Sequence, residues 1–230
     1  FFALKMFSIM RQSGFDLAMG EFLLDLAIGT SVMDVLDNAG SDKNVAIGNY
    51  SLRGGTGLLA RNIAIGQEAM GETRQNNIGG VDNVFIGTLA GGGNWVTAAS
   101  NYNIGIGTFV MDSALNGALY NTAIGYAALS GITTADNMVA LGTGALQEQT
   151  AGEGNIAIGR AAMNVHGTGG YNIAIGNFAM DDTNAGSTSA ASDHNIFIGN
   201  SAGGGTWTDV ASNQNVAIGN YSMDSALDGA

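Results

Sequence analysis

The stretch Asn172–Met180 reads NIAIGNFAM, and close copies of it recur along the chain. NVAIGNYSL runs from Asn44 to Leu52, NIAIGQEAM from Asn62 to Met70, and NVAIGNYSM from Asn215 to Met223. Self-similarity at intervals of some 16 to 23 residues is the signature of repeat architectures, in which each repeat forms one supersecondary unit. The repeat therefore decides the fold.

The template opens with Asn, continues with Val, Ile, Thr or Met, a usually small residue and Ile or Leu, and then reaches Gly. Two variable positions follow, and the frame closes with a small residue and Leu or Met. The ten clear frames open at Asn44, Asn62, Asn83, Asn103, Asn121, Asn137, Asn155, Asn172, Asn195 and Asn215. Their glycines are Gly48, Gly66, Gly87, Gly107, Gly125, Gly142, Gly159, Gly176, Gly199 and Gly219. One earlier frame opens at Asp25, with Asp in place of Asn.

The three residues between Asn and Gly predict a short β-strand, because Ile-Ala-Ile is a strict alternation. We expect the branched residues, such as Ile173 and Ile175, to face the core, and Ala174 to face outward. The Gly that follows supplies a turn with positive φ. The closing pair is predicted to form a second short strand that returns the Leu or Met to the core. Each frame is thus one coil of a β-solenoid.

The leading Asn has two interpretations. Asn side chains at the same place in every coil can stack into an amide ladder along the solenoid axis. Alternatively, each Asn simply starts a turn, which is a common use of this residue.

Composition and charge exclude several classes of protein. The 230 residues include 37 Gly, no Pro and no Cys, and the net charge is −12. From Gln75 onward Arg160 is the only Lys or Arg, against eleven Asp and Glu, which argues against a nucleic-acid partner. The lack of Cys excludes disulfides and thiolate metal sites. The most apolar stretch, FFALKMFSIM, is too short to span a bilayer, so no membrane insertion is expected in this segment.

The sequence also repeats with a longer period, which contains several of the short repeats. NVFIGTLAGGGNW from Asn83 matches NIFIGNSAGGGTW from Asn195 at an offset of 112 residues, which is six coils. We therefore expect a solenoid domain over residues 25–230 built on a six-coil super-repeat, preceded by an irregular junction or cap over residues 1–24. The chain stops in mid-pattern at SALDGA, and we expect it to be part of a longer protein.

The two matching coils depart from the template in a correlated way. In the first, Phe85 replaces the usual Ala and Gly91 replaces the usual Leu or Met, so one large residue is gained where another is lost. A Trp follows in each, at Trp95 and Trp207. We expect a repacked core with the Trp laid over it. The alternative is that both tryptophans are exposed, ligand-contacting platforms for sugar rings or a partner surface.

A single coil buries too few aliphatic side chains to offset the cost of ordering its backbone. Stacking between coils and burial between chains must supply the difference. The small residue that is expected to face outward suits close approach of a neighbouring chain. We therefore predict a homo-oligomer, most simply a homotrimer.

The repeats NVAIG, NIAIG and NTAIGYAAL, the last at Asn121–Leu129, resemble a known family. They are similar to the head repeats of trimeric autotransporter adhesins (the YadA-like head) and to the repeats of bacteriophage tail and capsid fibres. The resemblance covers residues 25–230. It implies an all-β, left-handed parallel β-roll or β-solenoid, here of about 10–11 coils of 16–23 residues, that assembles as a homotrimeric fibre on a cell or virion surface. Adhesin heads use shorter repeats, so the longer coils favour the phage-fibre version.

The resemblance implies a function without chemistry of its own. We expect a structural or receptor-facing segment of a phage fibre in the virion, acting as a rigid spacer and in host attachment. Its partners would be other virion proteins and a glycan or protein receptor on the host cell surface. The alternative is the head domain of a bacterial trimeric adhesin, located at the outer surface of the cell. An ice-binding solenoid would need a rank of Thr after the glycines, which is absent.

The sequence contains no phosphate loop, zinc pair or nucleophile elbow. We therefore predict no enzyme activity, no cofactor and no metal. His166 and His194 are expected to be exposed loop residues. Asp181 and Asp182 are expected to form a polar loop rather than a cation site.

A remote alternative is that the chain is part of a glycan-degrading spike. Some β-solenoid spikes degrade glycans with carboxylates that meet across subunits. The candidates would be Asp112, Asp136, Glu148 and Glu153, and only if a groove brings them together.

Overall fold

The structure is a computed structural model, and it describes residues 25–33, 41–53, 57–71, 79–95, 98–181, 191–205, 207 and 211–225. The predicted junction over residues 1–24 lies outside the described residues, as does Asp182. The chain divides into two compact units, Phe1–Gly117 and Ala118–Ala230, here called unit 1 and unit 2.

Unit 1 contains seven described strands. They are β1 (Leu26–Ile28), β2 (Val45–Ile47), β3 (Leu58–Ala60), β4 (Ile63–Ile65), β5 (Gly79–Val81), β6 (Val84–Ile86) and β7 (Ile104–Ile106). Five of these pair in parallel in the order β1-β2-β4-β6-β7. The remaining two, β3 and β5, form a separate parallel pair.

Unit 2 contains six described strands. They are β8 (Thr122–Ile124), β9 (Val139–Leu141), β10 (Ile156–Ile158), β11 (Ile173–Ile175), β12 (Ile196–Ile198) and β13 (Val216–Ile218). Each pairs in parallel with the next along the chain. The register is constant, so that Ala157 lies opposite Ala174 and Ile158 opposite Ile175. Each repeat contributes one strand to a parallel β-solenoid, which confirms the predicted all-β class.

The strand faces are the reverse of the prediction. In β11 the central Ala174 is fully buried, whereas Ile173 and Ile175 are half-buried and point outward. The same pattern holds in β2, β4 and β10. The core side of the strand is already occupied by the closing Leu or Met of the coil, such as Met180, and leaves room for only a methyl group.

The predicted second strand is also wrong, although the inward return of the Leu or Met is correct. In the coil of β2, Tyr50 and Leu52 have φ values of 60° and 44°, so the closing residues form a tight turn instead. The Ser51 N–H donates to the Gly48 carbonyl at 3.3 Å, and the Leu52 N–H reaches Ala69 of the next coil at 2.9 Å. The turns are therefore hydrogen-bonded from coil to coil, as the strands are.

The corner glycine is required by both conformation and space. Gly159 has a φ of 136°, which side chains disfavour, and a Cβ there would collide with the carbonyl of Gly176 in the next coil. The glycines that follow the other main strands lie in the same conformation.

The asparagine ladder is present in both units. Asn172 represents one rung: its Oδ1 accepts the backbone N–H of Asn195 at 2.9 Å and the Nδ2 of Asn195 at 3.0 Å. Its own Nδ2 donates to Asn155 Oδ1 at 3.1 Å and to the Ser192 carbonyl at 2.8 Å. In unit 1 the ladder begins at Asp25, whose Oδ1 accepts the N–H of Asn44 at 2.7 Å. The remaining rungs are Asn44, Asn62, Asn83 and Asn103 in unit 1, and Asn121, Asn155, Asn195 and Asn215 in unit 2.

One predicted rung is wrong by a residue. Asn137 is exposed and has a φ of 57°, while Met138 occupies the buried ladder position before β9. The Met138 N–H donates to Asn121 Oδ1 at 2.9 Å, and the Asn155 N–H reaches Met138 Sδ at 3.3 Å. Asn137 precedes Gly142 by five residues rather than four, which places it outside the frame.

Candidate functional site

The most extensive feature of each unit is the outward face of its parallel sheet. Two columns of mainly aliphatic side chains cover this face, one from the first and one from the third residue of each strand. In unit 1 they are Leu26, Ile28, Val45, Ile47, Ile63, Ile65, Val84, Ile86, Ile104 and Ile106. In unit 2 they are Thr122, Ile124, Val139, Leu141, Ile156, Ile158, Ile173, Ile175, Ile196, Ile198, Val216 and Ile218. We call this the aliphatic face.

The side chains of the aliphatic face are half-buried or exposed throughout the described strands. Ile104 is 39% exposed and Ile124 is 42% exposed. Constant register places each column in a straight row, with about 4.8 Å between neighbouring strands. Contiguous apolar surfaces of this kind are candidate interaction sites.

Polar residues border the aliphatic face along the turn that follows the corner glycine. In unit 2 this border includes Thr143, Arg160 and Asn177, which are exposed. Asn177 Oδ1 accepts the Arg160 N–H at 3.1 Å, and the Arg160 guanidinium lies 4.3 Å from the centre of the Phe178 ring. The border thus changes from apolar to polar within two residues of the strand end.

A second row of exposed side chains precedes the ladder residues. In unit 2 the Tyr171 hydroxyl donates to Glu153 Oε2 at 2.8 Å, and Asn137 Nδ2 donates to Glu153 Oε1 at 3.3 Å. The Tyr171 ring stacks on His194 with centroids 5.1 Å apart. The hydrogen bond to Glu153 raises the pKa of Tyr171, with smaller contributions from desolvation and from the negative charge of Glu153.

The equivalent row of unit 1 carries an ion pair. Arg61 Nε and Nη2 each lie 2.7 Å from a carboxylate oxygen of Asp82. This bidentate hydrogen bond lowers the pKa of Asp82 and raises the pKa of Arg61.

Trp95 and Trp207 are fully buried. Each packs edge-on against the Phe of its own coil, with centroids 6.0 Å apart for Phe85–Trp95 and 5.7 Å apart for Phe197–Trp207. Their indole N–H groups meet no acceptor within the part of the chain that the structure describes. The packing alternative therefore describes both residues, and neither ring is accessible for stacking on a ligand.

The two histidines lie in opposite environments. His194 is exposed, as predicted, but His166 is completely buried, so the expectation of an exposed loop residue is wrong for it. Burial lowers the pKa of His166 to about 4, against opposing contributions from the Gly169 backbone and the charge of Asp193. A neutral His166 is therefore part of the core of unit 2.

The four candidate carboxylates do not form one cluster. Asp136 and Glu153 lie in adjacent coils of unit 2, joined by a parallel bridge, and Asp136 Oδ1 accepts the Leu119 N–H at 2.7 Å. Glu148 is exposed elsewhere in unit 2. Asp112 belongs to unit 1, where partial burial raises its pKa.

The described residues contain neither a metal-binding cluster nor a membrane-spanning helix. Asp181 is half-buried, and no group of three or more His, Cys, Asp or Glu in the described ranges is placed to hold a metal ion. Within the same ranges, no helix has the length and apolar character needed to cross a bilayer.

The aliphatic face was missed because alternation alone is the same for either orientation of a strand. A usable signal was nevertheless present in the sequence. Phe85 and Gly91 exchange volume in the same coil, which requires that the central strand residue and the closing residue share one core. A Cβ on Gly91 would lie 2.8 Å from the Phe85 ring, and one on Gly203 would lie 2.5 Å from Phe197.

Comparison of the chain with known protein families, curated proteins and solved structures gives no match in any of the three.

Proposed function

We propose that the chain is a structural and receptor-facing segment of a bacteriophage fibre, in which three copies pack side by side through their aliphatic faces. The segment acts as a rigid spacer that joins other virion proteins to a host-surface receptor. The repeat resemblance supports the phage-fibre assignment and the left-handed sense of the coils.

The aliphatic face is the observation that carries the proposal. In each unit it presents two straight rows of Ile, Val and Leu to solvent in a single chain. Burying rows of this kind against equal rows on other copies removes apolar area from water at roughly 25 cal/mol per Å². Interfaces of obligate oligomers are likewise apolar and resemble a domain core cut in half.

The predicted neighbour contact changes in one respect. The sequence assigned close approach to the small central residue, whereas Ala174 and its equivalents fill the core of each unit. The contact between copies is therefore proposed to be made by the large branched residues, which bury more apolar area than alanines would.

The mass of the native particle tests the proposal. Sedimentation equilibrium of the whole chain should give three times the mass of the 23.3 kDa protomer. A particle of protomer mass at micromolar concentration would contradict the proposed trimer, and with it the assignment to a fibre.

A pair of charge substitutions locates the contact. Ile124→Glu places a carboxylate on the aliphatic face at a residue that is 42% exposed, so the protomer should still fold. It should lower the mass to that of one protomer, because an unpaired charge cannot be buried between copies. The matched control is Thr143→Glu, which adds the same charge at an exposed position on the polar border and should leave the mass unchanged.

A further inference from the structure

His166 lies beside a rung of the asparagine ladder in unit 2. Its ring is fully buried, and its Nε2 lies 3.1 Å from Nδ2 of Asn172. Asn172 is itself a buried rung that connects the coils of β10, β11 and β12.

The ladder fixes which end of the Asn172 amide faces the imidazole. The Asn172 oxygen is already used by two donors of Asn195, at 2.9 and 3.0 Å. The amide nitrogen donates to Asn155 Oδ1 and to the Ser192 carbonyl. Both amide hydrogens are thus engaged, and the amide nitrogen that faces His166 Nε2 cannot accept a hydrogen bond, so an unprotonated Nε2 is the form that fits beside it. A proton on Nε2 would set two donors against each other in the core.

A carboxylate and a backbone group act on the charge of the ring. Asp193 is the described carboxylate that acts on it, and the Gly169 backbone also favours the charged ring. Both are outweighed by the loss of hydration in the core, because a charged imidazolium is costly to bury.

The preceding coil shows what an uncharged residue does at the same place. Gln149 lies six residues before Asn155, as His166 lies six before Asn172, and it too is fully buried. Asn155 Nδ2 approaches Gln149 Oε1 at 3.5 Å, and Gln149 Nε2 approaches the Gly169 carbonyl at 3.4 Å. A neutral amide therefore fits beside the ladder at this position.

We propose that His166 is an acid-operated release for unit 2, in which protonation of the buried ring breaks the hydrogen bonds around Asn172 and loosens the coils of β10 to β12. Unit 1 lacks the device, since both histidines of the chain lie in unit 2. Mild acid thus loosens one unit and leaves the other intact.

The difference in pKa between the folded and unfolded states determines how stability changes with pH. An unfolded His binds its proton near pH 6.5, whereas the folded ring binds one only near pH 4. The stability that the neutral ring contributes is present above pH 6.5 and falls as the pH decreases from 6.5 towards 4.

The proposal is tested by unfolding three proteins with guanidinium: the wild-type chain, His166→Gln and His194→Gln. The pH range is 7 to 5, which stays above the pI of about 4.1. The ratio of the wild-type unfolding constant to that of His166→Gln should rise by about twentyfold over this range. Carboxylates titrate alike in all three proteins and cancel in the ratio. His194→Gln, which removes an exposed histidine, should follow the wild type. A ratio that stays constant with pH overturns the proposal.

Hydrogen exchange at pH 5 then locates the effect. The segment Ile156–Met180 should lose protection in the wild type relative to His166→Gln, while Val45–Met70 should not differ. Uniform loss in both segments contradicts a local release. If His166→Gln does not fold, an NMR titration of the wild-type chain decides: the His166 imidazole should titrate near pH 4, and a midpoint near the ordinary value of 6.5 would overturn the proposal.

Discussion

At the scale of single residues, the buried asparagines hold the coils in register. A typical rung accepts two hydrogen bonds from the next coil and donates one to the preceding rung and one to a backbone carbonyl, as Asn62 does with Asn83, Asn44 and Gly80. An amide provides both donors and acceptors, so an uncharged column can satisfy itself in a dry core. This explains why Asn occupies the position; at the first described rung Asp25 only accepts, from the N–H and Nδ2 of Asn44.

Asn62→Ala should therefore be among the most damaging single substitutions in unit 1. It leaves the Asn83 N–H and the Gly80 carbonyl buried without their partner, which should cost about 3 kcal/mol or more of unfolding free energy. Asn49→Ala removes the same amide from an exposed position and should cost less than about 1 kcal/mol. Guanidinium unfolding at pH 7 measures both, and equal losses would refute a ladder role.

At the scale of the repeat, one core volume is divided between two positions. Most coils combine Ala at the strand centre with Leu or Met at the closing position, as in Ala174 and Met180. Phe197 with Gly203 is the inverse combination, and its ring fills the space that a closing side chain would take. Dense packing makes the two positions interdependent.

Exchange of the two residues should restore an ordinary coil. Phe197→Ala alone leaves a cavity, with a cost of about 3–5 kcal/mol. Gly203→Met alone collides with the Phe197 ring, although its backbone suits Met, since Met180 has a φ of 54° and Gly203 one of 64°. The double variant should be more stable than either single variant, with a coupling energy of about 2 kcal/mol or more. Additive losses in a double-mutant cycle would contradict the shared volume.

The same exchange in unit 1 supplies a comparison. Phe85 also lies against Gly105 of the next coil, where a Cβ would be 2.7 Å from its ring. The double change Phe85→Ala with Gly91→Met therefore leaves unfilled the space next to Gly105 that the Phe85 ring occupies. We expect a weaker rescue than in unit 2, and a third change, Gly105→Ala, should improve it in the same unfolding experiment.

At the scale of the whole molecule, a net charge of −12 opposes the association of copies. The aliphatic face carries no charged side chain in its described strands, so the repulsion comes from the borders and loops. Screening within about 10 Å at 0.1 M salt weakens such surface repulsion and leaves apolar burial unaffected.

Assembly should accordingly strengthen with ionic strength. Sedimentation of the chain at 20 mM and 300 mM NaCl should show a larger fraction of oligomer at the higher salt. Dissociation by salt would instead indicate that ion pairs join the copies, and the aliphatic face would lose its proposed role.

Much of the fold could be predicted because the residues that decide it lie close together in the sequence. The strand and the corner glycine each depend on residues within one frame, and recurrence identifies them. The ladder was one of two interpretations of the leading Asn, and contacts between coils decide it. The misplaced rung at Asn137 arose from reading the residue type rather than the spacing to Gly142. The buried position of His166 was missed because nothing local distinguishes a loop residue that faces the core from one that faces solvent.

The sequence by itself determined the repeat, the short strands, the corner glycines and the pairing of Phe with Gly, because each follows from spacing along the chain. Only the tertiary structure decided which side of each strand is the core. An alternation of large and small residues is symmetric until the closing Leu or Met takes its place, and that residue leaves inner space for Ala174 and turns Ile173 and Ile175 outward. The sequence and the structure thus agree on the framework and differ on the surface that it presents.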